Sequence, residues 1–190
     1  MKVPIGISAR HAHLTKEHLE ILFGKDYSLV VLKELSQPGE FASEETISVK
    51  GEKGVLDNVR IIGPIRKYTQ LEISKTDSYA LGVKPPVRKS GDVKSSSPIT
   101  LIGPKGEVYL EEGCIIASRH IHITPDDVKK LGLAGITKVS VLIDGPKGGI
   151  MHNVNLKISS NYQYELHLDT DDGNAFLINQ GDMGTILIDE

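Results

Sequence analysis

The sequence predicts an all-β protein, a barrel or a sandwich in which one unit is repeated, and three observations carry that reading. Short apolar or alternating runs recur along the chain, among them "VVLKEL", "ETISVKG", "NVRIIG", "QLEIS", "PITLIG", "KVSVLIDG", "NVNLKIS", "YELHLDT" and "MGTILIDE". Each has strand length and is closed by Gly, Pro, Asn, Asp or Ser, and short strands at regular spacing pack as barrels or sandwiches. The 19 Gly and 9 Pro suit the many turns that such a fold needs. Finally, "SARHAHLT" at Ser8–Thr15 returns as "ASRHIHIT" at Ala117–Thr124, so one phrase opens two parts of the chain.

Composition removes several classes of function. A chain of 190 residues, 39% hydrophobic and 25% charged, can bury one large core or two small ones. With a formal net charge of -3 and mixed signs throughout, it carries no basic stripe, and nucleic acid is not an expected partner. No apolar run of membrane-spanning length and no secretory leader is read, so no membrane role is expected and the location is expected to be cytoplasmic. The single cysteine, Cys114, has no internal disulfide partner and fits a reducing compartment.

In chain order, His11 and His13 come first. Residues two apart on a strand share a face, so the pair reads as two ligands rather than as core. Thr15 then caps a short helix over "KEHLEILF", closed by Gly24. Lys84–Pro98, "KPPVRKSGDVKSSSP", reads as a long loop, either an irregular connection or a mobile lid. His120 and His122 repeat the first pair, and Thr124, Pro125, Asp126 and Asp127 open a second capped helix that ends near Gly132.

The duplication extends beyond the histidines. His11 and His120 are 109 positions apart, whereas "GVLDNV" at Gly54–Val59 matches "GIMHNV" at Gly149–Val154 at an offset of 95. At that same offset Leu71–Asp77 matches Leu166–Asp172, and the change from 109 to 95 is what a shorter loop in the second copy produces. The alignment sets Glu72 opposite His167. Each half then offers a triad: His11, His13 and Glu72, and His120, His122 and His167. Imidazole and carboxylate ligands suit zinc and similar divalent ions, and three protein ligands with an open position is the pattern of catalytic metal sites. Two triads brought together would make a binuclear site.

Other polar residues take supporting readings. Arg10 and Arg119 alternate away from the histidines, so a structural role, beside a ligand or paired with an acid, is expected ahead of direct substrate contact. Arg66, six residues before Glu72, reads either as an anion-binding guanidinium or as a surface ion pair. His18 is expected on the solvated side of the first helix, and His152, opposite Asp57 in the repeat, in a turn or beside a ligand. Cys114 reads as a small buried residue, and the acidic "DTDDGNA" at Asp169–Ala175 as a turn that supports His167.

"SARHAHLT", "GPIRKYTQLEISKTD", "KPPVRKSGD", "ITLIGPKG", "GCIIASRHIHITPDD" and "ELHLDTDDGNA" together resemble the phosphate propanoyltransferases, the PduL-type phosphotransacylases, over nearly the whole chain. The resemblance implies two antiparallel β-barrels with short capping α-helices. One comprises residues 1–9 with 118–190, the other residues 10–117, and the active site lies in the cleft between them. It implies an enzyme that moves a short acyl group, propanoyl or acetyl, reversibly between coenzyme A and inorganic phosphate, giving acyl phosphate and CoA. It places two zinc ions on the two triads already named and makes Arg66 the phosphate-binding residue. It also implies a homodimer, with acyl-CoA and phosphate as small-molecule partners. Members packaged in bacterial microcompartments carry an N-terminal amphipathic extension, whereas "KVPIGIS" begins a strand almost at Met1. A member free in the cytosol, one entering a shell by another route and a trimmed chain all fit that start. The CoA-contacting residues and the acyl-chain preference are not legible in the sequence.

Two rival readings share the same residues. A binuclear metallohydrolase would use the triads to activate water and would not need phosphate. A structural metal protein would close four protein ligands around each ion, often with cysteine, whereas each triad here has three and none.

Overall fold

Alternation in the sequence becomes alternation in burial. Along β4 (Phe41–Lys50), Ser43, Glu45, Ile47 and Val49 are buried while Glu44 and Lys50 are exposed, as a half-buried strand requires. The computed structural model describes residues 1–188. Its other strands are β1 (Lys2–Ser8), β2 (His11–His13), β3 (Val31–Glu34), β5 (Val55–Gly63), β6 (Gln70–Glu72), β7 (Val87–Arg88), β8 (Ser97–Ile102), β9 (Glu107–Ala117), β10 (His120–Ile123), β11 (Lys138–Ile143), β12 (Gly149–Ile158), β13 (Glu165–Asp169) and β14 (Met183–Leu187). Four short helices complete it: α1 (Lys16–Phe23), α2 (Lys75–Leu81), α3 (Pro125–Lys130) and α4 (Thr170–Phe176).

The strands close into two six-membered barrels. One runs β1-β13-β10-β12-β11-β14; in the other β8 pairs with both β4 and β9, closing the ring β4-β5-β2-β6-β9-β8, with β3 and β7 attached outside it. The two-barrel expectation holds, but neither barrel is purely antiparallel. β1–β13 and β10–β12 are parallel in the first, and β5–β2 and β6–β9 in the second. A parallel neighbour requires a crossover connection, and α1 and α3 stand in the crossovers that follow the histidine strands. The two rings share one order and one pattern of directions, with β9, β6, β2, β5, β4 and β8 standing for β1, β13, β10, β12, β11 and β14.

The chain divides into two compact units, one of residues 1–8 with the chain from Ser118 onward, the other Ala9–Ala117. β1 is thus hydrogen-bonded in the first barrel, while the histidine strand that directly follows it belongs to the second. Each barrel has its own core. Val3, Ile5, Ile121, Val139, Val141, Val154 and Leu166 fill one; Leu14, Leu22, Ile61, Leu71, Leu101 and Cys114 fill the other.

Helices α1 and α3 form where their caps predict. Thr15 accepts from the His18 N–H, Thr124 accepts from the Asp127 N–H, and Pro125 occupies the first turn of α3. The acidic segment at 169–175 is a correction: it is helix α4 rather than a turn, with the Asp169 side chain accepting the Asp172 N–H as N-cap. Its counterpart α2 has a full capping box, Ser74 with Asp77. The Lys84–Pro98 connection contains β7, which pairs with β9, and its last two residues open β8. No helix among the described residues is long and apolar enough to cross a membrane.

Candidate metal centres

In the second barrel β2 lies antiparallel to β6, with His11 opposite Glu72, Ala12 opposite Leu71 and His13 opposite Gln70. Ala12 and Leu71 are fully buried in the core, so the alternating residues turn to the other face. There the rings of His11 and His13 meet edge to face at 5.1 Å, and His11 Nε2 lies 3.7 Å from Glu72 Oε2. Backbone carbonyls fix both rings. His11 Nδ1 lies 2.8 Å from Ala9 O and His13 Nδ1 3.1 Å from Ile62 O. A carbonyl can only accept, so in the neutral imidazole each Nδ1 carries the hydrogen and each Nε2 keeps its lone pair for a cation.

The first barrel repeats this arrangement. β10 pairs with β13 so that His120 faces His167, Ile121 faces Leu166 and His122 faces Glu165. His120 and His167 stack 5.2 Å apart, and His120 Nδ1 lies 2.9 Å from Ser118 O, as His11 does from Ala9. His122 stacks on Tyr162 at 4.0 Å, and its two ring nitrogens are buried without a hydrogen-bond partner. A buried imidazole with both nitrogens unsatisfied is costly unless something else occupies it.

In each triad one donor atom from every residue lies within 4.8 Å of the others, the compactness that a single ion needs. Burial pushes His13 down to about 3, with its neighbour His11 adding repulsion, and it pushes His122 down to about 2, with His167 and His120 contributing. His13 and His122, held neutral by burial, and the orphaned ring nitrogens of His122 in particular, fit a divalent cation with histidine and carboxylate ligands. The sequence brought these six residues together, and the strand register explains why: each HxH faces a strand whose own alternation supplies the third ligand.

The arginines before the histidine pairs do what alternation suggests. Arg119 Nε and Nη2 grip Asp172 at 2.9 and 2.7 Å, and Arg10 pairs with Asp77. Asp77 and Asp172 occupy the first turns of α2 and α4, so each arginine ties a histidine strand to the helix that follows the third ligand. His18 is not simply solvated, because its Nδ1 lies 2.7 Å from Thr69 Oγ1. His152 is in strand β12 rather than a turn, bonded to Ser140 Oγ at 2.8 Å.

Arg66 is anchored in the second barrel, where its N–H donates to Leu14 O at 2.8 Å. Its Nη2 donates to Glu40 Oε1 at 2.6 Å, and its positive charge adds a small share to the depression of His13, one residue of the His11, His13 and Glu72 triad. Cys114 is fully buried, and burial raises its thiol to about 12. Sequence reasoning passed over two residues at the centres, Gln70 and Glu165. The signal was present: "QLE" and "ELH" have the same two-residue alternation as "HAH" and "HIH".

Two β-barrels of one topology, each with a histidine-rich triad on paired strands, define a duplicated protein with two side-chain clusters of a kind that could hold a metal ion. The family model described as phosphate propanoyltransferase matches residues 4–179. Proteins named phosphate propanoyltransferase are 48% identical over 97% of this chain and 87% of their own length in Lachnoclostridium phytofermentans, and 46% identical over 94% and 86% in Thermotoga maritima. A third, from Priestia megaterium, is 47% identical over 99% of this chain and 87% of its own. The chain belongs to the phosphate propanoyltransferase family, a family of acyltransferases.

Proposed function

We propose that this protein transfers a short acyl group, propanoyl or acetyl, reversibly between coenzyme A and inorganic phosphate, with two zinc ions held by the two triads. The observation that carries the reading is the pair of equivalent triads, each with donors clustered within 4.8 Å, in a chain of this family. His11, His13 and Glu72 would hold one ion and His120, His122 and His167 the other. Bound there, the ions would polarise the thioester carbonyl and stabilise the CoA thiolate.

The chain's own part is to bind and orient. Arg66 binds phosphate as a charged, fork-shaped donor, in competition with Glu40 for its Nη2. A phosphate oxygen then attacks the carbonyl carbon. The C–O bond forms, the C–S bond breaks, and CoA leaves as the thiolate. No acyl-enzyme is needed, and Cys114, buried with a thiol at about 12, is unsuited to form one.

The test is thiol release from propanoyl-CoA and acetyl-CoA by zinc-loaded protein, with and without phosphate. Release that requires phosphate and yields acyl phosphate is expected. Release at the same rate without phosphate would make water the nucleophile and the protein a hydrolase. The resemblance also supports a homodimer, for which light scattering should return twice the 20.7 kDa of one chain. Microcompartment association, which the resemblance connects with some members, would be read by co-purification with shells.

A further inference from the structure

The two triads differ in where they keep their negative charge. In the second barrel the residue opposite His11 is Glu72 and the one opposite His13 is Gln70; in the first, the residue opposite His120 is His167 and the one opposite His122 is Glu165. Neutral and acidic side chains have exchanged places by one step of the strand alternation. Each centre therefore contains one carboxylate, at different register positions.

Glu165 is buried, and its Oε2 lies 3.0 Å from His167 Nε2. The barrel is shaped to admit it. Gly6 on β1 faces His167, and a Cβ there would stand 2.9 Å from the Glu165 carboxyl carbon. At the equivalent place in the other barrel Ile115 faces Glu72, where no second carboxylate needs room. Gln70 meanwhile donates its Nε2 hydrogens to Glu72 Oε1 at 2.6 Å and to Ser90 Oγ at 3.0 Å, orienting the carboxylate ligand as a neutral group can.

We infer that Glu165 is a positioning residue for the His120, His122 and His167 centre, a carboxylate that fixes the His167 ring from behind and supplies the charge that Glu72 supplies in the other barrel. This rests on the metal-binding reading of that triad. An ionised carboxylate only accepts, so its contact puts the hydrogen on His167 Nε2 and leaves Nδ1 as the lone-pair nitrogen. A carboxylate behind a histidine ligand raises its basicity and locks its tautomer, and losing such a partner costs about 10–100-fold in metal affinity.

Zinc affinity by chelator competition, with stoichiometry by elemental analysis, tests this in wild type, Glu165→Gln and Glu165→Asp. Glutamine is already tolerated at the equivalent Gln70, so Glu165→Gln should fold. Repeating the titration on a His11→Ala background reads the second centre alone. We expect Glu165→Gln to weaken one of two sites by about 10–100-fold, with Glu165→Asp intermediate and the melting temperature of the metal-free protein unchanged. Two zinc sites in wild type with unaltered affinities in Glu165→Gln would overturn the role of Glu165 alone. A fall in metal-free melting temperature without a site-selective loss of zinc would overturn it in favour of a structural role. A wild type that binds no zinc would overturn the metal reading and this one with it.

Discussion

The two barrels share a frame and differ in a few letters. Both set an HxH strand against a strand whose triad residue lies two beyond a polar neighbour, both fix the first histidine through a backbone carbonyl two residues earlier, and both clamp the cluster with an arginine on a helix aspartate. Yet one triad is two histidines and a glutamate, the other three histidines. Register places the donors, and substitution within that register sets charge and ligand preference. One duplicated scaffold thus presents two donor clusters in unlike environments.

The harshest break of this comparison removes a first histidine from each barrel. His11→Ala and His120→Ala should each lose one zinc equivalent and each cut the phosphate-dependent rate by more than the roughly 100-fold cost of an indirect partner. Elemental analysis and turnover on the same samples check this. If one variant loses its metal and keeps its rate, the barrels are unlike in function as well as in charge.

Arg66 sharpens the contrast further, because the position 95 residues later is Asn161, so the second copy has no matching guanidinium. Arg66→Ala should remove a charge-assisted contact worth about 1.5–3 kcal/mol, raising KM for phosphate roughly 10–150-fold with a smaller change in KM for acyl-CoA. Unchanged phosphate dependence would assign Arg66 to its Glu40 ion pair alone.

The clamps should differ more modestly. Asp77 accepts from Arg10 and also takes the Ser74 N–H at 3.2 Å in a capping box, whereas Asp172 serves chiefly Arg119. Asp77→Ala should cost about 1–3 kcal/mol and Asp172→Ala somewhat less. For a domain of this size each kcal/mol lowers the melting temperature by about 2–4 °C. Thermal melts of the metal-free variants give the order, and a reversed order would show that the capping box contributes nothing.

What could be read from the sequence follows from the range of the interactions involved. The histidine pairs, their caps at Thr15 and Thr124, and the triads recovered by the two offsets are local patterns repeated, so sequence alone reaches them. Helices α2 and α4 escaped because their caps, Ser74 and Asp169, lie within the strand runs "QLEIS" and "YELHLDT", and neither is followed by a proline as Thr124 is. The parallel pairs β5–β2 and β10–β12 escaped because a strand's neighbour is decided far away in the chain. Glu165 and Gln70 gain meaning only once β13 lies against β10 and β6 against β2. Arg66 was visible as a candidate, but its bond to Glu40 spans 26 positions and no spacing announces it.

The gentlest probe compares the cores. At the offset of 109 Cys114 corresponds to Ile5, and both are fully buried, each in its own barrel. The cysteine therefore occupies an apolar slot, which accounts for the thiol being held at about 12. At pH 8 only about one thiol in ten thousand would be the reactive thiolate, so a thiol reagent should not label the folded protein within minutes and should label it fully in denaturant. Cys114→Val should leave turnover unchanged and shift stability by no more than about 1 kcal/mol, since the change is near the size of one methylene group. Ile5→Cys, made in that background, then supplies the mirror probe. If the two barrels are closed alike, both thiols stay protected under native conditions and react only as fast as each barrel opens. Ready labelling at position 5 but not at 114 would mean that the barrel closed by the distant N-terminal strand opens first. That outcome would trace the difference to connectivity, because β1 is the only strand of its ring that must be recruited across the whole of the other unit.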